Sequence, residues 1–239
     1  MKILLQIVIF LFFIGPSTVY ANDEFSNSEE KAIEKIIEKW ILDNPEKIRF
    51  VLSNLAKKER ETYIDETNKL LSNYELDPIL GNPKGDIIIY EFFDYNCGYC
   101  KSVFNELMSV VNEDDGIKVV MKELPILSSI SDLAARIALA AKYQNLYPEF
   151  HMQLMETKGR LSEKKIFEIA SSLGLNTSKL KEDAVSEEIE NILNYNKMLA
   201  KRLEISGTPA FVIGQNIIPG AINKAEFKEL IKQERQKHN

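Results

Sequence analysis

Hydrophobic residues in the middle of the chain are spaced in two different ways, and each spacing predicts a different element. Residues 86–93 and 117–124 are short apolar runs rich in β-branched and aromatic residues, which is typical of buried strands. Between these runs, apolar residues recur every three or four positions, as on one face of a helix. They are Val103, Phe104, Leu107, Met108 and Val111. The pattern therefore predicts a strand–helix–strand unit.

After Pro125 the helical spacing dominates, and a strand pattern returns only near the C-terminus. Ser131 and Ser162 are suited to N-cap two of these helices. The helical stretch covers roughly residues 126–205, and two strand-like segments and a closing helix follow from Ala210 onward. The predicted fold class is α/β, with a helical insertion between its strands.

Residues 22–78 carry a separate amphipathic pattern. Apolar residues such as Ile37 and Trp40 form a stripe with charges on the other face, and Pro45 suits the first turn of a second helix. Two such helices cannot bury their apolar faces alone, so they must pack on the following domain or on another copy of the chain. The highly charged residues 57–62 separate the first stripes from the domain. We therefore predict an N-terminal helical oligomerisation segment.

The first 21 residues have the pattern of a secretory signal peptide. Lys2 is followed by a nearly continuous apolar run, Ile3–Ile14, that is too short to span a bilayer. Small residues then precede a predicted cleavage site after Ala21. The alternative is an uncleaved membrane anchor. Cleavage would release the protein outside the cytoplasm, where disulfides persist.

The charge balance argues against a nucleic-acid partner. The chain has 30 Lys and Arg against 36 Asp and Glu, a formal net charge of −6, whereas nucleic-acid binding needs a basic surface. With 239 residues, 45% of them hydrophobic, the chain can bury a core without disulfide staples. Its cysteines are therefore candidates for chemistry.

Cys97 and Cys100 are the only cysteines, and three interpretations of the pair are open. A structural disulfide between them would close a very short loop and restrain little of the unfolded chain. A zinc site would need further ligands, and the only histidines are His151 and His238. A redox-active dithiol needs no ligand beyond the pair itself.

The position of the pair favours the redox interpretation. It lies where the first predicted strand gives way to a helix, and the free N–H groups and dipole at a helix start stabilise a thiolate. We expect Cys97 to attack substrates and Cys100, one turn into the helix, to resolve the mixed disulfide. No cofactor is expected beyond the Cys97–Cys100 disulfide.

The segment EFFDYNCGYC, which ends at Cys100, resembles the active site of the DsbA-like periplasmic thiol oxidoreductases. Together with KELPIL from Lys122 onward, it is most similar to their ScsC-like (suppressor of copper sensitivity) branch. The resemblance implies a thioredoxin fold with a helical insertion for residues 79–239. ScsC-like proteins use an N-terminal segment to trimerise, so a homo-oligomer, with a trimer favoured, is expected.

The resemblance also implies roles for residues outside the CxxC motif. Pro209 is expected to be the cis-proline opposite the active site, and Thr208 and Tyr99 are expected to contact the substrate. Glu91 and Lys122 are expected to lie beneath the buried cysteine as a pair that accepts and returns its proton. The alternative is that one or both of these charged residues face solvent on an alternating strand.

These features predict a periplasmic thiol–disulfide oxidoreductase that acts on cysteine-containing client proteins and is reset by a membrane redox partner. Two directions compete: an isomerase or reductase that reshuffles wrong disulfides, and an oxidase that donates its own disulfide. The CGYC motif and the Thr208–Pro209 pair resemble the pattern of periplasmic isomerases, which favours the first. An oligomeric holdase chaperone, in which the cysteines are secondary, is the alternative of a different class.

Overall fold

The computed structural model describes residues 25–238, without the side chain of His238. The predicted signal peptide, residues 1–21, lies outside the described residues. The chain divides into two compact units, with the boundary between Glu59 and Arg60. Across residues 25–238, every helix is either too short or too polar to cross a lipid bilayer.

The N-terminal unit is helical, as its amphipathic pattern predicts. Helix α1 spans Asn27–Asp43 and begins with a capping box, in which the side chains of Ser26 and Glu29 each bind the other residue's backbone N–H. Helix α2 spans Pro45–Leu71, and Pro45 is its first residue because a proline there loses no helical hydrogen bond. Within α1 no residue is buried.

Residues 60–78 group with the second unit, whereas the sequence pattern assigns them to the N-terminal segment. The Tyr63 hydroxyl donates to the Arg202 carbonyl, and the Arg202 guanidinium pairs with Glu66. Leu71 is buried in the core of the second unit. The sparse apolar positions at the end of α2 therefore pack within the second unit, although the charged residues just before them suggest a linker.

A mixed five-stranded sheet forms the centre of the second unit. Its strands are β1 (Ile79–Gly81), β2 (Ile87–Phe93), β3 (Ile117–Glu123), β4 (Ala210–Ile213) and β5 (Asn216–Pro219), in the order β1-β3-β2-β4-β5. The central strands β2 and β3 are parallel, and the pairs β1–β3, β2–β4 and β4–β5 are antiparallel. Because β2 and β3 are covered on both faces, their sequences read as continuous apolar runs rather than as alternating ones.

Helix α3 links β2 to β3, five helices form the insertion, and α9 closes the chain. They are α3 (Gly98–Glu113), α4 (Ser129–Lys142), α5 (Tyr147–Glu156), α6 (Glu163–Ser172), α7 (Thr177–Asp183), α8 (Glu187–Arg202) and α9 (Lys224–His238). Ser162 caps α6 as predicted, but Ser128 rather than Ser131 caps α4. This is a thioredoxin fold with the helical insertion predicted for residues 126–205.

The two faces of the sheet build two separate cores. Helix α3 and most of the insertion cover one face, where Ile89 and Phe93 of β2 are buried. The last turns of α8 and the end of α2 cover the other face, where Tyr90 and Phe92 are buried. Because successive strand residues point to opposite faces, a shift of one position decides which core a side chain enters.

Candidate functional site

The two cysteines lie at the start of α3, as the sequence predicts. Cys97 is the N-cap residue, and its Sγ accepts a hydrogen bond from the Cys100 backbone N–H at 3.4 Å. The backbone N–H of Cys97 in turn donates to the Asp94 carbonyl at 3.0 Å, which closes the turn that precedes the helix. A sulfur at this position takes the place of the oxygen acceptor found at most helix N-caps, which favours its anionic form.

Both cysteines are present as free thiols, and they differ in their access to solvent. The Cys97 residue keeps 6% of its surface exposed, whereas Cys100 is fully buried. Tyr99, between them, is 74% exposed. The sulfur that a client disulfide can reach is therefore that of Cys97.

The surroundings of Cys97 stabilise its thiolate. A hydrogen bond from the Cys100 thiol, together with the backbone N–H groups of Cys100 and Tyr99 and the Thr208 side chain, lowers the pKa of Cys97 to about 5 despite its partial burial. At neutral pH the sulfur is therefore a thiolate, which is the nucleophile of thiol–disulfide exchange. The sequence predicted this direction from the helix start alone.

Cys100 has the opposite behaviour. Burial first of all, and then the hydrogen bond to Cys97 and the charge of Glu91, raise the pKa of the Cys100 thiol far above its ordinary value. Cys100 thus keeps its proton while Cys97 is ionised. It needs a nearby proton acceptor before it can attack a mixed disulfide.

The loop before β4 lies against the active site. The Thr208–Pro209 peptide bond is cis, as predicted. Cys97 Sγ lies 3.2 Å from the Thr208 carbonyl oxygen, to which it donates only in its protonated form. These contacts place both residues beside the nucleophile, in agreement with the sequence.

Glu91 and Lys122 do not form the predicted pair, because they lie on opposite faces of the sheet. Glu91 of β2 is paired in register with Met121 of β3, so Lys122 is opposite Phe92 and points the other way. Lys122 instead makes a buried ion pair with Asp77, with 2.5 Å between Nζ and Oδ2. The prediction that Lys122 takes part in proton exchange with the cysteines is therefore wrong, because the strand register places its side chain on the other face of the sheet.

Glu91 remains beneath the cysteines, and its carboxyl is fully buried. Neither of its oxygens has a hydrogen-bond partner within residues 25–238. Burial first, and the nearby charge of Cys97 second, raise the pKa of Glu91 to about 8. A carboxyl group with this pKa is able both to take and to return a proton near neutral pH.

Asp94 is a site residue to which sequence reasoning assigned no role. Its buried carboxylate accepts backbone N–H groups from Asn96 at 2.7 Å and from Ile126 and Leu127 at 3.0 Å each. It therefore ties the turn before Cys97 to the loop that follows β3. An acidic residue just before a CxxC motif is the only signal in the sequence, and it does not reveal these partners.

Comparisons with known proteins agree with this geometry. A family model described as a DSBA-like thioredoxin domain matches residues 88–232. The crystal structure of a thioredoxin-like oxidoreductase from Silicibacter pomeroyi is 37% identical, with a TM-score of 0.68 over 70% of this chain and 96% of that chain. The catalytic domain of Proteus mirabilis ScsC is 25% identical, with a TM-score of 0.66 over 72% and 97% of the two chains. The thiol:disulfide interchange protein DsbA of Bordetella pertussis is 26% identical over 146 residues, which cover 57% of this chain and 68% of that protein.

The matched region contains the CxxC helix, the helical insertion and the cis-proline loop, and it covers well over half of the chain. Its two cysteines differ in protonation and access in the way that stepwise exchange requires. On this evidence the chain belongs to the DSBA-like thioredoxin family, as a thiol–disulfide oxidoreductase whose structural neighbours include ScsC.

Proposed function

We propose that this protein is a periplasmic disulfide isomerase and reductase, which reshuffles wrong disulfides in client proteins and works as a homo-oligomer, with a trimer favoured. The observation that carries the exchange chemistry is the difference between the two thiols. The pKa of Cys97 is lowered to about 5, while that of Cys100 is raised by burial. One sulfur is thus ready to attack, and the other waits in its protonated form.

The first step is shared by isomerisation and reduction. The Cys97 thiolate attacks one sulfur of a client disulfide, a mixed disulfide forms, and the second client sulfur leaves as a thiolate. In isomerisation, this client thiolate attacks another client disulfide, and a client thiolate finally displaces Cys97. No electrons are transferred overall, and the dithiol is regenerated.

Reduction follows when the mixed disulfide does not rearrange. In the mixed disulfide Cys97 carries no charge, so one cause of the raised pKa of Glu91 is absent and its ionised form is favoured. Cys100 gives its proton to this ionised carboxylate and attacks the Cys97 sulfur, so the Cys97–Cys100 disulfide forms and the client leaves as a thiolate. Two electrons have then passed from the dithiol to the client, and the client thiolate takes a proton from water. The raised pKa of Glu91, about 8, supports its role as the acceptor. A membrane redox partner would restore the dithiol.

The apolar surface of the N-terminal unit supports the oligomer. Ile36, Trp40 and Leu42 of α1 are 68%, 49% and 72% exposed, and large apolar residues on the first half of α2 are exposed as well. Large apolar residues exposed in this number indicate an interaction surface. Several tethered active sites around one client raise the effective concentration of thiolate at the second encounter, which isomerisation needs.

An oxidase is the second candidate, and the low pKa of Cys97 favours it. A stabilised thiolate stabilises the reduced form, which makes the disulfide a stronger oxidant. The isomerase proposal rests instead on the CGYC motif, the Thr208–Pro209 pair and the exposed stripes. A measured reduction potential of about −120 mV, which is the value of strong oxidants, would favour the oxidase over the isomerase.

Removing residues 22–59 tests the proposal. Light scattering of the full-length mature chain should give an oligomer, and the shortened chain should be a monomer that still reduces small disulfides. Its activity on scrambled, wrongly paired proteins should fall sharply. A full-length monomer, or equal isomerase activity after truncation, would contradict the proposal. Aggregation suppression that survives Cys97→Ser, without isomerase activity in the unmodified protein, would indicate a holdase chaperone.

A further inference from the structure

Four polar side chains form a buried cluster beneath the active-site loop. The Tyr95 hydroxyl lies 2.9 Å from Glu123 Oε1 and 2.9 Å from His151 Nδ1. The Tyr147 hydroxyl lies 2.9 Å from the same Glu123 oxygen and 3.5 Å from His151 Nδ1. All four residues are at most 2% exposed. The exchange reaction described above uses none of them.

The cluster joins two elements, β3 and α5, to the loop that leads into α3. Tyr95 is two residues before Cys97, Glu123 ends β3, and Tyr147 and His151 lie one turn apart on α5 of the helical insertion. The edges of Phe93 and Phe104 pack against the His151 ring, with centroid distances of 5.0 and 5.6 Å. In the sequence His151 is a lone histidine on a predicted helix, which is usually a core or surface residue.

The hydrogen bonds of the cluster need a donor proton for each contact, and this requirement restricts the protonation states that Glu123 and His151 can have. Tyr95 has one hydroxyl proton and two partners, so one partner must donate to it. Burial raises the pKa of Glu123 well above its ordinary value and lowers that of His151 to about 3. Glu123 is therefore an uncharged acid whose Oε1 accepts from the Tyr95 hydroxyl, and the neutral His151 ring donates its Nδ1–H to Tyr95. The hydrogen bonds from Tyr95 and Tyr147 lower the pKa of Glu123, but burial outweighs them, and the charges of Asp94 and Asp77 raise it further.

We propose that Glu123 and His151 are positioning residues for disulfide exchange, because they hold the Tyr95 hydroxyl from two sides in an uncharged chain and so fix the turn that places Cys97 at the start of α3. That turn is closed by the hydrogen bond from the Cys97 N–H to the Asp94 carbonyl. If it loosens, the Cys97 sulfur loses its alignment with the Cys100 N–H, and the thiolate becomes less stable. The inference holds whether the enzyme isomerises, reduces or oxidises.

Tyr95→Phe and Tyr147→Phe form a matched pair of variants. Each removes one buried hydroxyl from the same Glu123 oxygen, so both should lower the stability to urea to a similar extent. Only Tyr95 is attached to the active-site turn. The alkylation rate of Cys97, measured below its pKa, should therefore fall about threefold to tenfold in Tyr95→Phe and stay within about twofold in Tyr147→Phe. Equal losses in both, or no loss in Tyr95→Phe, would overturn the proposal.

Two further variants test the partners and guard against a misfolded Tyr95→Phe. His151→Phe keeps a ring among Phe93 and Phe104 but removes Nδ1, so it should slow alkylation in the same direction as Tyr95→Phe; an unchanged rate would remove His151 from the chain. Glu123→Gln should leave the rate within about twofold, because an uncharged amide can also hold the Tyr95 hydroxyl. Faster alkylation would show that Glu123 carries a negative charge, and slower alkylation would show that an amide cannot replace it; either result overturns the uncharged chain.

Discussion

Replacing Glu91 with glutamine should stabilise the reduced protein, and the gain should depend on pH. The carboxyl is fully buried, has no hydrogen-bond partner within residues 25–238, and has a pKa raised from 4.5 to about 8. Below pH 4.5 both the folded and the unfolded chain hold its proton, so the residue does not alter the pH dependence there. Between pH 4.5 and 8 only the folded chain holds it. Stability is therefore lost as the pH rises through this interval.

The size of the effect follows from the two pKa values. Each pH unit between them costs about 1.4 kcal/mol, so the loss accumulated from pH 4.5 to pH 7 is about 3 kcal/mol. Glutamine has nearly the same shape and no proton to lose. Glu91→Gln should thus match the unmodified protein at pH 4.5 and exceed its unfolding free energy by about 3 kcal/mol at pH 7.

Urea unfolding of the reduced protein at a series of pH values measures this difference. Glu187→Gln, on the exposed first turn of α8, is the matched control and should follow the unmodified protein throughout. The gain in Glu91→Gln should be smaller in the oxidised protein, because the charge of the Cys97 thiolate is the second cause of the raised pKa. Stability curves for Glu91→Gln and the unmodified protein that run parallel from pH 4.5 to 8 would refute the assignment of a protonated Glu91.

Two further substitutions separate the active site from its surroundings. Thr208→Val should raise the pKa of Cys97 by up to about one unit, because a hydrogen bond to a charged group contributes about 1.5 kcal/mol. The folded protein should lose little stability. Unchanged alkylation kinetics would place the Thr208 hydroxyl away from the Cys97 sulfur. Lys122→Met should cost about 3 kcal/mol in urea unfolding, because it leaves Asp77 buried without its partner, yet the alkylation rate of Cys97 should not change. The double variant Lys122→Met with Asp77→Asn should recover most of that stability. Slower disulfide exchange in Lys122→Met would show that Lys122 acts at the active site after all.

The sequence reveals local features of this protein better than it reveals how strands are aligned. The strand–helix–strand unit, the position of Cys97 at a helix start and the helical insertion each depend on spacing within one segment, and all are present. Glu91 and Lys122 carry the same signal, a charge within an apolar run. Only the register, which pairs Glu91 with Met121, shows that the two side chains point to opposite faces.

Two smaller differences between the predicted and the observed structure also depend on contacts that the spacing of residues does not reveal. Ser128 and Ser131 are both suited to cap α4, and the choice falls on Ser128 because its hydroxyl accepts the Ser131 backbone N–H at 3.1 Å. The end of α2 is sparse in apolar residues, but Leu71 still reaches the core. The partners of Tyr95, Glu123 and His151 are distant in sequence, so their cluster could not be predicted from any single segment.

The most direct test of the roles of Cys97 and Cys100 is the alkylation rate of each cysteine as a function of pH. Cys100→Ser leaves Cys97 alone and keeps a hydroxyl donor beside it, and Cys97→Ser leaves Cys100 alone. We expect Cys97 to titrate near pH 5 and to react fast at neutral pH, while Cys100 stays protonated and nearly unreactive there. If Cys100 reacted faster than Cys97 at neutral pH, the roles of nucleophile and resolving cysteine would be reversed, which would contradict the proposed exchange chemistry.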